Sequence, residues 1–250
     1  LPIGWFLHSD KPFEKVVVRP VTTDAAEIKR KIEMPANARR ASTAGSGFWD
    51  WMARRYARTA ISDEAAYNEK LRMTQEHLTP EAKVLEIACG TGSTALIHAP
   101  FAAEILATDF SANMIEIANE KASAQGITNV TFQQAGIDDL EIAPDSQDMV
   151  MAHSILHLLE APDVAVAKAY SWLKPGGVLV TSTICLGEAG PLLRVLAPVF
   201  RALPFLPFIK TLSERDLKSW MTGAGFEIET HWRPKPKAAT FIIARKPSGA

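Results

Sequence analysis

Two hydrophobic periods alternate along the chain from about residue 48 onwards. Between Phe48 and Leu78 apolar residues recur every three or four positions, which predicts two helices. From Lys83 the pattern changes to short apolar runs, KVLEI, EILATDFS, VTFQQ and QDMVMAHS, with helical stretches between them. Runs of this kind are typical of strands that are buried on both faces of a parallel sheet. The pattern therefore predicts an α/β fold with two helices before the first strand.

The second half of the chain continues this alternation. DVAVAKAYSWLKPGGVLVTSTIC predicts an amphipathic helix, a Pro-Gly-Gly turn and a fifth strand, and SERDLKSWMTGAGF predicts a capped helix that ends at Gly223 and Gly225. FEIETHW and ATFIIARK are two further strands that can pair antiparallel. Elements in this order predict a doubly wound, mostly parallel sheet, whose ligand crevice lies at the carboxyl ends of the strands.

Length and composition favour one large domain with an extension. The 250 residues suffice for one α/β domain, which we expect at residues 48–250. Residues 1–47 contain four prolines and a basic cluster and end in ASTAGSG, so they are interpreted as an extension and linker. The 27 Lys and Arg residues balance 28 Asp and Glu residues, which gives no reason to expect a nucleic acid as partner.

Cysteine use and the amino-terminal sequence bear on the compartment. The chain has two cysteines, Cys89 and Cys185, and neither has the spacing of a metal or redox site. We therefore expect a reducing, cytoplasmic environment and no bound metal. The first residues lack the charged flank, the long apolar run and the cleavage site of a secretion signal, so none is expected.

The most informative stretch is KVLEIACGTG, residues 83–92. Gly90 and Gly92 allow a tight turn between a buried strand and a helix capped near Ser93, and exposed backbone N–H groups there can hold a cofactor. Asp109 follows about twenty residues later at the end of the second strand, where an acid accepts hydrogen bonds from ribose hydroxyls. Glycine is also common in strand-to-helix turns without ligands, so the turn alone leaves both interpretations open.

Four segments together resemble the class I S-adenosylmethionine-dependent methyltransferases, the family of small-molecule methylases that includes the quinone-biosynthesis methyltransferases. These segments are EIACGTG, ATDFSANMIEIA, SQDMVMAHSILHLL and LKPGGVLVTS, in the family's order, within a likeness that covers about residues 48–246. The resemblance implies a Rossmann-like sheet of seven strands, with S-adenosylmethionine as cofactor and S-adenosylhomocysteine as product.

The resemblance also implies which residues surround the cofactor. Its methionine and ribose parts would lie against Glu86 and the backbone of Ala88, Gly90 and Gly92. Asp109 would hold the two ribose hydroxyls. Ala88 departs from the family, which usually has glycine there, and it adds a methyl group where the backbone approaches the ligand.

The adenine end shows a second departure from the family. Phe110 and Met114 would lie against the ring, where aromatic and sulfur contacts are favourable. The acid that usually follows strand three is replaced by Gly136 in QAGI. Asp138 or the backbone of Ile137 would have to substitute in the contact to the exocyclic amine.

Three further residues are candidates for the reacting end. His153 would face it, and Tyr56, from its helical spacing, is a candidate for contact with the cofactor or for the core. In-line methyl transfer needs mainly positioning, so a base is not obligatory. An acceptor that must lose a proton could give it to His153 or His157, whose ordinary pKa suits that task. Both histidines are equally compatible with a structural role.

The apolar segment at about residues 187–210, GPLLRVLAPVFRALPFLPFI, bears on the acceptor. Pro198, Pro204 and Pro207 interrupt it, and these prolines together with its two arginines argue against a membrane-spanning helix. A lid that closes an apolar wall over the site is one interpretation, and packing against the sheet is another. A third has the segment enter a bilayer surface to collect a lipid-like acceptor.

These observations favour a cytoplasmic methyltransferase that acts on a small, rather apolar acceptor. A lipid or quinone methyltransferase at a membrane surface is the alternative within the same chemistry. A nicotinamide-dependent oxidoreductase would need G-x-G-x-x-G, whereas positions 88, 90 and 93 are Ala88, Gly90 and Ser93. A cofactor-binding protein without turnover is the third class. The acceptor atom and the oligomeric state do not follow from the sequence.

Overall fold

A computed structural model of the chain describes residues 46–188, 210–236 and 238–249. Between residue 46 and the first strand lie two helices, as the helical period predicted: α1 (Ser46–Arg58) and α2 (Glu64–Gln75). The carboxylate of Asp63 caps α2 by accepting a hydrogen bond of 3.0 Å from the backbone nitrogen of Ala66. The predicted extension up to residue 45 lies outside the described residues.

Seven strands form one sheet, and their order confirms the predicted doubly wound topology. The strands are β1 (Lys83–Ile87), β2 (Glu104–Asp109), β3 (Val130–Gln134), β4 (Gln147–His153), β5 (Leu173–Thr183), β6 (Glu227–Trp232) and β7 (Thr240–Arg245). Across the sheet they follow the order β3-β2-β1-β4-β5-β7-β6, with β1 to β5 parallel and β7 antiparallel to both of its neighbours. The chain reverses its direction of travel between β1 and β4, which is where such sheets bind ligands.

Within the described residues, four further α-helices connect the strands: α3 (Ser93–His98), α4 (Ala112–Gln125), α5 (Pro162–Trp172) and α6 (Glu214–Gly223). The hydroxyl of Ser111 caps α4, which ends at Gly126 with a φ of 66°. Ser213 and Asp216 form a capping box at α6. The local sequence signals for helix ends are therefore confirmed at both helices.

The core lies on both faces of the sheet, as expected for strands without a polar face. Val84 and Met149 pack on the face next to α2, α3 and α4, while Leu85 and Val150 pack on the face next to α5 and α6. The two strands at the switch point are thus buried from both sides. Only their carboxyl ends, together with the turns that follow, remain available for a ligand.

One sequence expectation has a different outcome, and another falls outside the described residues. The predicted Pro-Gly-Gly turn lies inside β5, which already begins at Leu173, and Gly176 adopts a φ of 84° while donating a hydrogen bond of 2.8 Å to the carbonyl of Lys246. Backbone hydrogen bonds to Lys246, which follows β7, hold Gly176 and Gly177 in the sheet. Most of the predicted lid, residues 189–209, lies outside the described residues. Within the described part, no helix is long and apolar enough to cross a membrane.

Candidate functional site

The turn after β1 is built from three residues with left-handed backbone. Ala88, Gly90 and Gly92 have φ values of 55°, 55° and 75°. Glycine adopts this conformation readily, whereas an L-residue with a Cβ atom loses about 1–2 kcal/mol there. Ala88 is therefore strained at the position where the family usually has glycine.

Gly92 is required by close packing. A Cβ atom on Gly92 would lie 2.6 Å from the ring of Phe132 and 2.8 Å from Cβ of Ala118. Gly92 also takes the cap position of α3, so Ser93 is the first helical residue and not the cap that the sequence suggested. The structure thus gives Gly92 a packing role and does not bring it to the cavity wall described below.

Asp109 ties the end of β2 to this turn. One carboxylate oxygen accepts a hydrogen bond of 2.9 Å from the backbone nitrogen of Gly90, and the other accepts one of 2.9 Å from Ser111. The side chain is buried, with 6% of its surface exposed. Burial raises the pKa of Asp109, assisted by the charge of Asp50. The backbone of Phe110 also forms a hydrogen bond to this carboxylate, which leaves part of its hydrogen-bonding capacity for a ligand.

A cavity of about 260 Å³ lies at the carboxyl ends of β1, β4 and β5, against α1 and α2. Five of the predicted site residues line it: Tyr56, Glu86, Ala88, Gly90 and His153. The structure therefore brings together the turn, the end of β4 and an aromatic residue of α1. The remaining wall comes mainly from one face of α2.

Glu86 contributes a buried carboxyl group to this cavity. It is 2% exposed, and among the described residues its Oε2 atom has no hydrogen-bond partner. Burial raises the pKa of Glu86 to about 8, and the nearby charge of Asp109 acts in the same direction. A buried carboxyl oxygen without a partner at a cavity wall suits a cationic ligand group, such as an ammonium.

Tyr56 covers the glycine turn from α1. A Cβ atom on Gly90 would lie 3.7 Å from Cε1 of the tyrosine ring. Desolvation raises the pKa of Tyr56, as does the charge of Asp109. Asp50 holds α1 in place, because its carboxylate accepts hydrogen bonds from the Ser111 hydroxyl and from the backbone nitrogen of Asn113, at 2.5 and 3.3 Å.

The two candidate histidines differ in location. His153 lines the cavity at the end of β4, whereas His157 is buried in a short 3-10 turn away from the cavity. Burial lowers the pKa of His153 to about 3, together with the neighbouring His98 and Lys70. Burial lowers the pKa of His157 to about 4. The expectation of an ordinary histidine pKa is therefore wrong for both, because the sequence does not reveal their burial.

The predicted adenine contacts lie off this cavity. Met114 is 2% exposed and packs with Ala53 of α1. Phe110 follows β2, and its carbonyl accepts a hydrogen bond of 3.2 Å from the Gln134 side chain. These contacts explain the apolar spacing of α4 as a face that packs on α1.

In the segment after β3, the candidate acid Asp138 pairs with a lysine. Asp138 forms an ion pair of 2.8 Å with the buried Lys168, which also donates a hydrogen bond of 3.2 Å to the carbonyl of Ile137. The backbone nitrogen of Gly136 donates to Asp139 at 3.3 Å. One oxygen of Asp138 is thus engaged with α5, whereas its Oδ2 atom has no hydrogen-bond partner among the described residues, so the contact to the exocyclic amine stays a prediction.

Sequence reasoning missed the contribution of α2. Tyr67, Lys70, Leu71 and Thr74 line the cavity. Their spacing of three and four residues marks one helical face, which was the available signal. Ser154, next to His153, was also missed. Its φ of 56° is uncommon for a residue with a side chain.

A family comparison matches the chain to a methyltransferase domain over residues 78–221, which is more than half of its length. The matched range begins before β1 and ends in α6, so it contains the glycine turn, Asp109 and the end of β4.

Some curated relatives are named as methyltransferases, and the matches cover only part of each protein. The ubiquinone/menaquinone biosynthesis C-methyltransferase UbiE of Geotalea daltonii is 28% identical over an alignment of 173 residues that covers 61% of this chain and 73% of that protein. The uncharacterized methyltransferase YcgJ of Bacillus subtilis is 33% identical over 97 residues. The chain spans 38% of YcgJ, and 24% of an uncharacterized Synechococcus protein to which it is 36% identical.

Several solved structures with similar folds are named as methyltransferases. An S-adenosylmethionine-dependent methyltransferase from Mesorhizobium loti superimposes with a TM-score of 0.60 at 19% identity, over 73% of this chain and 99% of that one. A geranyl diphosphate methyltransferase gives 0.61 at 16% identity, over 72% and 77%. At these identities the likeness concerns the fold alone. Together with the matched domain, the sheet order and the turn after β1, it identifies the chain as a member of the class I S-adenosylmethionine-dependent methyltransferase family.

Proposed function

We propose that this chain transfers the methyl group of S-adenosylmethionine, in line, to a small and rather apolar acceptor. The observation that carries the proposal is the cavity at the switch point of the sheet, where the unpartnered carboxyl oxygen of Glu86 lies beside the turn anchored by Asp109. The carboxyl group of Glu86 suits the ammonium group of S-adenosylmethionine, and the carboxylate of Asp109 suits its ribose hydroxyls.

The residues of the site suit the family's cofactor in three ways. Glu86 would accept hydrogen bonds from the ammonium group, and the remaining lone pairs of Asp109 would accept those of the ribose hydroxyls. The left-handed turn at Ala88 and Gly90 gives close access to backbone groups, and Tyr56 shields that turn. When bound, S-adenosylmethionine supplies a methyl group on a sulfonium, which is its own leaving group.

The protein's part in the reaction is mainly positioning. Holding two reactants in line can supply about 7–11 kcal/mol of barrier reduction. His153, neutral at pH 7 because of its lowered pKa, would accept a hydrogen bond from the acceptor instead of storing a proton. We favour His153 over His157 for this role, because only His153 lines the cavity.

For the adenine end we propose the surroundings of Phe110, Met114 and the Ile137 backbone. These residues follow β2 and β3 on the side of the turn away from β4. Met114 packs against α1, so the ring would insert beside that helix.

The acceptor proposal rests on the apolar side chains Ile61 and Leu71 in the cavity wall. An acceptor collected at a membrane surface is the second candidate. It is favoured by α1, where Trp51 is 73% exposed beside the exposed arginines Arg54, Arg55 and Arg58. Aromatic and basic side chains on one exposed helix suit an anionic bilayer surface. In either case we propose that the protein works in the cytoplasm.

Calorimetric titration with S-adenosylmethionine, S-adenosylhomocysteine and NADH tests the cofactor. We expect both sulfur compounds to bind and NADH to give no heat beyond dilution. Tight NADH binding without a response to the sulfur compounds would overturn the proposal. A methyl-transfer screen over thiols, phenols, amines and quinols then separates an enzyme from a cofactor-binding protein without turnover.

A further inference from the structure

The cavity has a second, basic end, and we infer that Lys70, together with Ser182, binds an anionic oxygen of the methyl acceptor. The inference rests on the proposed function and names the chemistry of its substrate. It assigns to the acceptor an apolar body with one ionised oxygen, as in a phenolate, an enolate or a carboxylate.

The position of the lysine is set by contacts between distant parts of the chain. Lys70 Nζ donates a hydrogen bond of 2.9 Å to Ser182 Oγ near the end of β5. Ser182 is paired with His153 in the register of β4 and β5. An ammonium has three N–H donors, and Ser182 accepts one of them. The cavity wall therefore presents further donors of Lys70 beside His153.

The positive charge of Lys70 has no counterion in the described part of the chain. The neighbouring His98 and His153 are neutral because burial lowers their pKa to about 4 and about 3. The acid that acts on Lys70 electrostatically is Asp63, which itself forms an ion pair of 2.6 Å with Lys235.

Three other partly buried lysines of this domain each pair with an aspartate, while Lys121 donates hydrogen bonds to the carbonyl and hydroxyl of Thr91 and to the hydroxyl of Ser93. Lys168 and Lys174 each lie 2.8 Å from an aspartate oxygen, and Lys246 lies 2.6 Å from one. Taking an ammonium out of water without a partner is unfavourable, as the lowered pKa of Lys70 also reflects. An anionic ligand would restore the balance of charge at this end of the cavity.

The anion cannot belong to the methionine part of the cofactor if Glu86 holds the ammonium. Glu86 lies on β1 and Ser182 on β5, with β4 between them. Neighbouring strands are about 4.8 Å apart, so the two ends of the cavity are separated by about 10 Å. The ammonium and carboxylate of an amino acid are attached to the same carbon atom. The basic end is therefore left for a second molecule.

The test uses 4-nitrophenolate, whose absorbance reports its ionisation, and its neutral methyl ether, 4-nitroanisole. Both are titrated into the full chain saturated with S-adenosylhomocysteine. We expect the wild-type protein to prefer the phenolate, and Lys70→Met to weaken phenolate binding about 10–100-fold, as for loss of a hydrogen bond to a charged group. Lys70→Arg should restore most of the affinity. Lys174→Met, which removes a lysine far from the cavity, serves as the matched control.

Three results would overturn the inference. They are equal binding of the phenolate to wild type and Lys70→Met, equal binding of phenolate and ether to the wild type, and loss of S-adenosylhomocysteine affinity in Lys70→Met. The last result would assign Lys70 to the cofactor. The comparison of phenolate with ether needs no variant, so it decides the question even if Lys70→Met does not fold. Failure of the wild type to bind S-adenosylhomocysteine would instead contradict the proposed function.

Discussion

Asp109 accepts a hydrogen bond of 2.9 Å from the backbone nitrogen of Gly90, and this bond joins the end of β2 to the turn after β1. The same carboxylate accepts a hydrogen bond from the backbone nitrogen of Ser111, the residue that caps α4. One buried acid thus fixes two turns relative to each other. We propose that its remaining hydrogen-bonding capacity serves the ribose hydroxyls of the cofactor.

Replacing Asp109 with asparagine should weaken cofactor binding. Asparagine keeps the shape but loses the charge, and its NH₂ group meets one of the two backbone donors. We expect the affinity for S-adenosylhomocysteine, measured by calorimetry, to fall about 10–100-fold. Asp145→Asn is the control, because Asp145 pairs with Lys246 and its φ of 51° suits asparagine. Unchanged affinity in Asp109→Asn would mean that the ribose is held elsewhere.

Ala88→Gly should stabilise the protein. The substitution removes a left-handed strain of about 1–2 kcal/mol and adds a glycine entropy cost of about 0.5–1 kcal/mol. We expect a net gain of up to about 1 kcal/mol in the free energy of unfolding by urea, and tighter binding of S-adenosylhomocysteine. Ala65→Gly, at an exposed helical position of α2, should instead lose about 1 kcal/mol. A loss of stability in both variants would argue against strain at Ala88.

Gly92→Ala should be much more harmful than Gly126→Ala. Both glycines have positive φ, 75° and 66°, but a Cβ atom meets atoms closer than 3 Å only at Gly92. Backbone strain costs about 1–2 kcal/mol at each position, and overpacking adds about 1–3 kcal/mol at Gly92. Urea unfolding of the two variants measures this difference. Equal destabilisation would show that Phe132 and Ala118 yield without cost.

The raised pKa of Glu86 predicts a loss of stability on the alkaline side. The unfolded carboxyl ionises above about pH 4.5, whereas the folded one keeps its proton until about pH 8. Its contribution is therefore fully present below pH 4.5 and is lost as the pH rises towards 8. Between pH 6.5 and pH 8 the wild type should lose about 2 kcal/mol relative to Glu86→Gln in urea unfolding. Parallel stability curves over that interval would contradict a protonated Glu86.

The lowered pKa of His98 predicts that the free energy of unfolding falls as the pH decreases below 6.5. The side chain is fully buried, and among the described residues neither ring nitrogen has a partner. Burial lowers its pKa from 6.5 to about 4, so the unfolded chain takes up a proton below pH 6.5 that the folded chain refuses. His98→Leu should therefore gain about 2 kcal/mol more stability at pH 5 than at pH 7.5. The same gain at both pH values would refute this.

The local pattern was sufficient to predict most elements of the fold. KVLEI became a strand buried on both faces and VTFQQ an edge strand in which buried and exposed residues alternate, and Ser111 and Gly126 marked the ends of α4 through local capping. Tertiary contacts were not predictable in this way. Lys70 and Ser182 are 112 positions apart, and no periodicity relates a residue of α2 to one of β5.

The chemistry of single side chains depended on the same long-range contacts. The low pKa of His153 follows from burial among residues of other elements. Asp138 is close in sequence to the expected adenine contact, yet Lys168 of α5 engages it from the other side. Helical spacing placed Met114 on the apolar face of α4, but it did not show that this face packs against α1.

The placement of β7 between β5 and β6 has a consequence for how the chain is completed during synthesis. β5 and β6 are made first, yet β5 keeps one unpaired edge and β6 has no place in the sheet until Thr240–Arg245 leaves the ribosome and enters between them. β5, which carries Ser182 at the cavity, thus gains its second neighbour only after β6 has been made. A nascent chain stalled before that point exposes the backbone edge of β5, which is the state that chaperones would have to protect.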